Sequence, residues 1–152
     1  MKKIALLFMF TLLLAGCDIE DDGPGSVQVL AEVVDADLPE FFEKGKLYQI
    51  KVTYLLPDAC HTALGLQAIR GGAEGALRRD IYVAGVASYP TGLEDCTLES
   101  EDLEKMDSFT LRIDEDQPFT FYLWTGVDAN KESIYTKIVV PVGEATPTPA
   151  VN

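Results

Sequence analysis

A period of two runs through Tyr48-Gln49-Ile50-Lys51-Val52-Thr53-Tyr54. The aromatic and aliphatic side chains fall on one face, and Lys51 and Thr53 fall on the other. Because successive side chains of a β-strand point to opposite faces, this alternation predicts a half-buried strand of an antiparallel sheet. Pro57 and Asp58 then end the strand, since proline lacks a backbone N–H and aspartate favours turns.

The same period recurs on both sides of this segment, with turn-forming residues between the repeats. Residues 81–87 are apolar on both faces, so we expect that strand to be central. Gly71, Gly72 and Gly75 mark a loop before it. The remaining predicted strands cover residues 27–33, 64–68, 109–113, 119–123 and 135–142.

About seven short strands with almost no helix predict an all-β fold, an antiparallel immunoglobulin-like β-sandwich over residues 26–143. The single short helix that we expect lies at residues 100–106, where Ser100 can cap the first turn. Trp124 follows both later cysteines, so the immunoglobulin pattern of a tryptophan between paired cysteines is missing, and the prediction depends on strand count. Residues 144–152 contain two prolines and small side chains, and we expect them to be a disordered tail.

The N-terminus carries a targeting pattern. Lys2 and Lys3 precede a short apolar run, which closes on Leu14-Ala15-Gly16-Cys17. This is the layout of a secretory signal peptide, and its apolar part is too short to span a bilayer. It resembles a bacterial lipobox, which implies removal of residues 1–16 and attachment of a lipid with acyl chains such as palmitate to Cys17. The alternatives are an ordinary secreted protein that is cut nearby and a short N-terminal membrane anchor.

Residues 17–25 are an acidic tether, which contains Asp18, Glu20, Asp21 and Asp22. The simplest interpretation of this tether is a solvated spacer, because like charges repel one another and extend a chain. Acidic residues directly after a lipidated cysteine also resemble the signal that sends Bacteroidetes-type lipoproteins to the cell surface. An aspartate directly after the cysteine resembles an inner-membrane retention signal instead. We expect a lipid-anchored protein of the bacterial cell envelope, at the outer membrane, with surface exposure left open.

The chain is strongly acidic, with a net charge of −13 at pH 7. Loss of Lys2 and Lys3 with the signal peptide makes it two units more negative. Such a surface repels nucleic acid and anionic lipid headgroups, so a nucleic-acid partner is excluded and the acyl group must supply the membrane affinity.

Two cysteines, Cys60 and Cys96, remain after Cys17 is used for the lipid. In an oxidising compartment they are expected to form a disulfide. Two free buried thiols, or a metal site of Cys60, His61 and Cys96, are the alternatives. We expect no metal and no cofactor, because the close C-x-x-C or H-x-x-x-H spacing of zinc sites is missing.

A family resemblance covers about residues 46–142. It is carried by Leu56-Pro57-Asp58-Ala59-Cys60-His61, by Cys96, by the ending Phe119-Thr120-Phe121-Tyr122-Leu123-Trp124-Thr125-Gly126, and by Asp128-Ala129-Asn130 with the strand that follows. These segments look like a group of uncharacterised Bacteroidetes-type envelope lipoproteins. The resemblance implies a small disulfide-linked sandwich of unknown activity, and it supplies no catalytic residue.

Tyr122 and Trp124 are the candidate ligand contacts. If Phe119, Phe121 and Leu123 point inward, these two aromatic residues point outward, where they can stack on sugar rings or anchor a protein partner. The alternative is that Trp124 covers a strand end or fills the second face of the sheet.

Other candidate sites are weaker. His61 is the only histidine, and no G-x-S-x-G serine accompanies it, so a catalytic triad is not indicated. Asp128 and Asn130 resemble the start of a calcium loop, which Asp114 or Asp116 from another turn could join. The glycine and glutamate of an EF-hand are missing, and a hairpin turn explains the pattern.

The sequence therefore indicates a lipid-anchored envelope lipoprotein that acts as a noncatalytic binding or accessory module, with an unidentified protein or glycan partner. A calcium-dependent or sugar-binding surface module is one alternative. An envelope hydrolase that uses carboxylates is the other.

Overall fold

The computed structural model describes residues 25–93, 95–99 and 102–143. The expected signal peptide at 1–16, the expected lipid site at Cys17, the expected tether up to residue 24 and the expected tail at 144–152 lie outside the described residues. In the described ranges, no helix has the length and apolar character to cross a membrane.

Within the described residues, seven strands and one short 3-10 helix follow one another along the chain. In chain order they are β1 (Ser26–Ala36), β2 (Leu47–Leu55), β3 (Thr62–Arg70), the 3-10 helix (Gly75–Arg79), β4 (Asp80–Pro90), β5 (Glu104–Arg112), β6 (Phe119–Val127) and β7 (Ser133–Val140). The hydrogen-bonded order is β5-β2-β1-β4-β6-β7, with β3 on the other edge of β4. The all-β prediction is confirmed.

Strand β1 divides its pairing between two neighbours. Its first half, up to Ala31, pairs antiparallel with β4, and its second half, from Glu32, pairs antiparallel with β2. A bulge between Val33 and Asp35 interrupts the second pairing, and bulges bend and twist a strand. Because β1 leaves β4 after Ala31, the rest of that edge of β4 is free to pair with β6.

The pairing of β4 with β6 is parallel, running from Asp80 opposite Thr120 to Val83 opposite Leu123. The seven strands therefore form one mixed sheet, and the expectation of a purely antiparallel arrangement is wrong. The physical reason is that side-chain alternation reports which face is buried, whereas strand direction depends on the path of the connecting chain. Here the chain leaves β4, adds β5 to the far side of β2, and returns to β4 in its original direction.

The core lies between the inward faces of the curled sheet. Its fully buried aromatic residues are Phe42, Phe119 and Phe121, and the ring centroids of Phe42 and Phe119 lie 5.9 Å apart in an edge-on arrangement. Aliphatic side chains from β1, β2, β4, β5, β6 and β7 complete it, among them Val33, Ile50, Val52, Ile81, Val83, Leu111, Leu123 and Val140. The alternation of residues 48–54 is confirmed, since Ile50, Val52 and Tyr54 are buried.

The central position of β4 is also confirmed, because β1, β3 and β6 all pair with it. Gly85 of this strand lies against the ring of Tyr54 from β2, and a Cβ atom at Gly85 would stand 2.5 Å from Tyr54 Cδ2. Close approach of these two strands therefore requires glycine at position 85.

One local expectation is wrong. The last three residues of the helix expected at 100–106 are not helical. They begin β5 and pair with β2: Glu104 with Leu55, Lys105 with Tyr54 and Met106 with Thr53. Residues 100 and 101 lie outside the described residues. The tertiary pairing overrides a weak local preference. The strand expected at residues 64–68 is confirmed as part of β3, in which Leu66 and Ala68 pack on the core and Leu64 is exposed. Leu64 is the extra residue of a bulge between Ala63 and Gly65, which shifts the alternation.

Candidate functional site

Four aromatic side chains lie together on the outer side of β4, β6 and β7. Their positions follow from register: Tyr82 is opposite Tyr122 across the parallel pairing, and Trp124 is opposite Tyr135 across the β6–β7 hairpin. The inward neighbours Phe119, Phe121 and Leu123 are buried, whereas Tyr122 and Trp124 are half-buried. We call the surface formed by Tyr82, Tyr122, Trp124 and Tyr135 the aromatic face.

Tyr122 is covered by its neighbours on both adjacent strands. Its ring stacks on Tyr82 with 4.7 Å between the centroids and 10° between the planes. From β7, Lys137 Nζ lies 5.7 Å from the centroid of the Tyr122 ring, within cation–π range. Because β4 and β7 flank β6 on opposite sides, both faces of the Tyr122 ring are occupied, and it offers no open face for a sugar ring.

Trp124 lines a small groove beside this stack. Its indole Nε1 donates a hydrogen bond to Ser133 Oγ at 3.2 Å, which fixes the orientation of the ring. The groove has a volume of about 100 Å³, and its walls include Leu30, Gln67, Ile69, Tyr82 and Tyr135. This volume is well below the roughly 300–1,000 Å³ of small-molecule and cofactor pockets, and it matches a single apolar side chain better.

The side chains that line the groove include no acidic or basic residue. Burial raises the pKa of the Tyr82 hydroxyl above its ordinary value, and the nearby Tyr122 hydroxyl adds to the shift. Tyr82 therefore stays un-ionised at neutral pH, and the groove favours an apolar or polar uncharged group over an ion.

Cys60 and Cys96 form a disulfide with a Cα–Cα distance of 5.7 Å, which confirms the expected pairing. The two sulfur atoms are bonded to each other, so neither is a thiolate that could bind a metal. In the described part of the chain, the one group of three potential metal-ligating side chains within 4.8 Å of one another is Asp58, Cys60 and Cys96. It therefore consists of the disulfide and a single carboxylate.

His61 is engaged in the disulfide loop. Asp58 Oδ1 accepts hydrogen bonds from His61 Nδ1 at 2.7 Å and from the backbone N–H of Cys60 at 2.9 Å. The His61 hydrogen bond holds the pKa of the Asp58 carboxyl below its ordinary value, and the Cys60 N–H acts in the same direction. The imidazole also packs 4.7 Å from the Tyr89 ring. These contacts order the loop around the disulfide.

The suspected calcium loop is a hairpin turn. Asp128 Oδ1 accepts backbone N–H hydrogen bonds from Asn130 at 2.8 Å and from Glu132 at 2.9 Å. The carboxylates of Asp114 and Asp116 do not join this turn, since Asp114 pairs with Arg78 and Asp116 pairs with Lys44 at 3.3 Å.

Arg78 and Arg79, the last two residues of the 3-10 helix, attach it to the rest of the fold. Arg79 Nη1 donates to Glu115 Oε2 at 2.5 Å, Arg78 pairs with Asp114, and Arg70 Nη1 donates to the backbone oxygen of Arg78 at 2.5 Å. The positive charges therefore attach the helix to the turn after β5, and they are already matched by carboxylates.

Sequence reasoning missed Tyr82 and Tyr135 as members of the aromatic face. Tyr82 alternates with Ile81 and Val83, which places it on the outer side of its strand. Its contact with Tyr122 required the parallel pairing of β4 with β6, and no local signal reports that pairing.

Comparison with known proteins gave no match to a family model, to a curated protein or to a solved structure.

Proposed function

We propose that this protein is a lipid-anchored, noncatalytic binding module of the bacterial cell envelope, and that its binding site is the aromatic face with the Trp124 groove. The observation that carries the binding role is the groove of about 100 Å³ next to an indole that Ser133 holds in place. The signal peptide and Cys17 support the anchor, since acyl chains supply a membrane affinity that an acidic surface does not.

A protein partner fits the site better than a glycan. Sugar recognition by stacking needs an open aromatic face, and Tyr122 has Tyr82 and Lys137 on its two faces. A groove of this size accommodates one aliphatic side chain, and buried anchors of this kind dominate the energy of protein interfaces. We therefore assign the groove to a leucine-sized side chain of a protein partner.

The charge arrangement supports a noncatalytic role. A glycoside hydrolase needs a carboxylic acid with a raised pKa as its general acid. Among the described residues, hydrogen bonds from His61 and from Lys44 shift the carboxyl pKa values of Asp58 and Asp116 downward. Both therefore stay ionised at neutral pH and cannot donate a proton there.

For the fold, we propose an immunoglobulin-like sandwich in which β1 passes from one layer to the other. The support is that β2 and β5 and the strands around β4 contribute side chains to the same core. The parallel β4–β6 pairing is a departure from the purely antiparallel immunoglobulin topology.

The anchor is tested by Cys17→Ala in the native host. We expect the wild-type protein to sediment with membranes and the variant to be soluble, with a diacylglycerol-modified N-terminal cysteine in the mass spectrum of the wild type only. A wild-type protein with a free thiol or an intact precursor would refute lipid anchoring.

The groove is tested by intrinsic fluorescence, because Trp124 is the only tryptophan of the chain. N-acetyl-leucinamide should produce a saturable spectral change at roughly millimolar concentration, as expected for one small anchor, and maltotriose should produce none. Ile69→Ser removes a groove wall and should weaken the response, whereas Leu64→Ser, at a similarly exposed position of the same strand (53% and 50%), should not.

A response to maltotriose alone would overturn the assignment to a protein side chain and favour a glycan. No response to either probe would show that the groove does not bind.

A further inference from the structure

We propose that the free edge of β7 pairs antiparallel with β7 of a second copy of this chain, so that two copies join their sheets into one. The proposal needs neither the lipid anchor nor an occupied Trp124 groove. It follows from the position of β7, from its exposed side chains, from its self-complementary sequence and from the distribution of charge.

β7 is the last strand of the hydrogen-bonded order and pairs with β6. Within the described residues, no other strand pairs with it between Ser133 and Val140; the nearby bridge of Phe42 with Val142 lies beyond its end. An edge of this length presents a row of backbone donors and acceptors that another strand can use.

The side chains along this edge are unusually exposed. Residues 133–137 are all exposed, on both faces of the strand. Three large hydrophobic residues of β7 are among the exposed ones: Ile134 at 46%, Tyr135 at 38% and Val139 at 54%. Covering them in a longer sheet removes apolar surface from water, which stabilises the pairing.

The sequence of β7 is complementary to itself about Thr136. In an antiparallel pair centred on Thr136, Ile134 faces Ile138 of the second copy, and Tyr135 faces its Lys137. The first is an apolar pair, and the second is a cation–π pair like the one that Lys137 makes with Tyr122 in the same chain. Moving the centre to Lys137 would oppose two lysines, so the Thr136 register is favoured.

The charge distribution selects the same edge. The chain has a net charge of −13, so two copies repel each other over most of their surface. β7 contains no carboxylate, and Lys137 is its only charged residue. The edge strand β5 contains Glu104 and Asp107 beside Lys105 and Arg112. The edge strand β3 contains no carboxylate of its own, but it lies beside Asp107 of β5, whose Oδ2 would stand 3.1 Å from a Cβ atom at Gly65. Two acidic molecules therefore approach with least repulsion along β7.

The paired sheets would place two aromatic faces side by side, because Tyr135 of each copy lies next to the junction. The contact is small, so we expect a weak dimer in solution, with a dissociation constant on the order of micromolar to millimolar. Attachment to a membrane would raise the effective concentration of the copies.

The register is tested by cross-linking in the chain that carries Cys17→Ala, which removes the one cysteine outside the disulfide. Thr136→Cys places thiols directly opposite each other in the proposed register, and mild oxidation should yield a disulfide-linked dimer. Val139→Cys is the matched control on the same edge, since its thiol faces Ser133 of the second copy and should cross-link at least about tenfold more slowly.

Sedimentation equilibrium of the Cys17→Ala chain gives the second measurement. We expect a reversible dimer, and we expect Lys137→Glu to raise its dissociation constant about tenfold or more, because it adds a carboxylate at the junction. Circular dichroism checks that each variant keeps its fold. A monomer up to millimolar concentration, or equal cross-linking of the two cysteine variants, would overturn the proposal.

Discussion

Replacing Gly85 with alanine tests the closest approach in the fold. Gly85 lies in the central strand β4, opposite Ala31 of β1 and Leu66 of β3. An added Cβ atom would stand 2.5 Å from Cδ2, 2.6 Å from Cγ and 2.9 Å from Cβ of Tyr54. Ordinary carbon–carbon contacts are about 3.5–4.0 Å, so Tyr54 or the strand must move by about 1 Å.

The magnitude follows from two opposing effects. Forcing an extra methyl group into a packed core costs about 1–3 kcal/mol, and the contact with the stem of Tyr54 as well as its ring places this case at the upper end. Alanine also restricts the unfolded chain more than glycine does, and this lower entropy of the unfolded state stabilises the folded protein by about 0.4–1 kcal/mol. We expect a net loss of about 2 kcal/mol in the free energy of unfolding.

The assay is urea denaturation followed by circular dichroism with the disulfide intact. For a domain of this size the slope is about 1–3 kcal/mol per molar urea, so the midpoint should fall by about 1 M. Gly143→Ala is the control, since an added Cβ atom meets nothing within 4 Å there. Its midpoint should change little.

A double-mutant cycle with Tyr54→Ala isolates the clash. Tyr54→Ala alone is destabilising because it leaves a cavity, but Gly85→Ala added to it should cost at least about 1 kcal/mol less than in the wild type. Equal costs in both backgrounds, or a Gly85→Ala protein as stable as the wild type, would refute the packing argument.

Three further predictions concern stability. Replacing both Cys60 and Cys96 with alanine should lower the free energy of unfolding by about 4 kcal/mol on the chain-entropy model, given the sequence separation of 36 residues, and calorimetry should show a lower Tm. The pKa of the Asp58 carboxyl is lower in the folded than in the unfolded chain. Its contribution to the free energy of unfolding is therefore fully present above about pH 4 and is lost as the pH falls through the folded-state pKa. Asp58→Asn should destabilise the protein less at pH 3 than at pH 6. Arg79→Ala removes the closer of the two basic partners of Glu115, at 2.5 Å, and leaves Arg78 Nε at 3.7 Å. It should cost about 1–2 kcal/mol in the free energy of unfolding, with a coupling of about 1 kcal/mol in a cycle with Glu115→Ala. Additive effects of the two changes would contradict this pairing.

The strands that alternation predicted best are those with one buried face. In β2 the period of two places Ile50 and Val52 in the core, and in β6 it separates Phe119 and Phe121 from Tyr122. This works because the direction of each side chain in a strand follows from its position alone. The same argument placed Tyr122 and Trp124 opposite the core.

Local patterns were not sufficient where a distant segment changed the outcome. The residues before Phe109 had a weak helical pattern, but pairing with β2 makes Glu104 to Met106 strand. Leu64 lies in a bulge that exists because β3 pairs with β4, so its exposure could not be read from residues 64–68.

Alternation of side chains along the chain was enough to establish an all-β domain, its buried faces and its candidate aromatic residues, because these depend on neighbours in sequence. The pairing of the two later cysteines was inferred from their number. Only the folded chain brought Tyr82 and Tyr135 to Trp124, curled the sheet over one core and left β7 as a free edge. These features depend on which strands meet and in which direction, and long-range packing sets both.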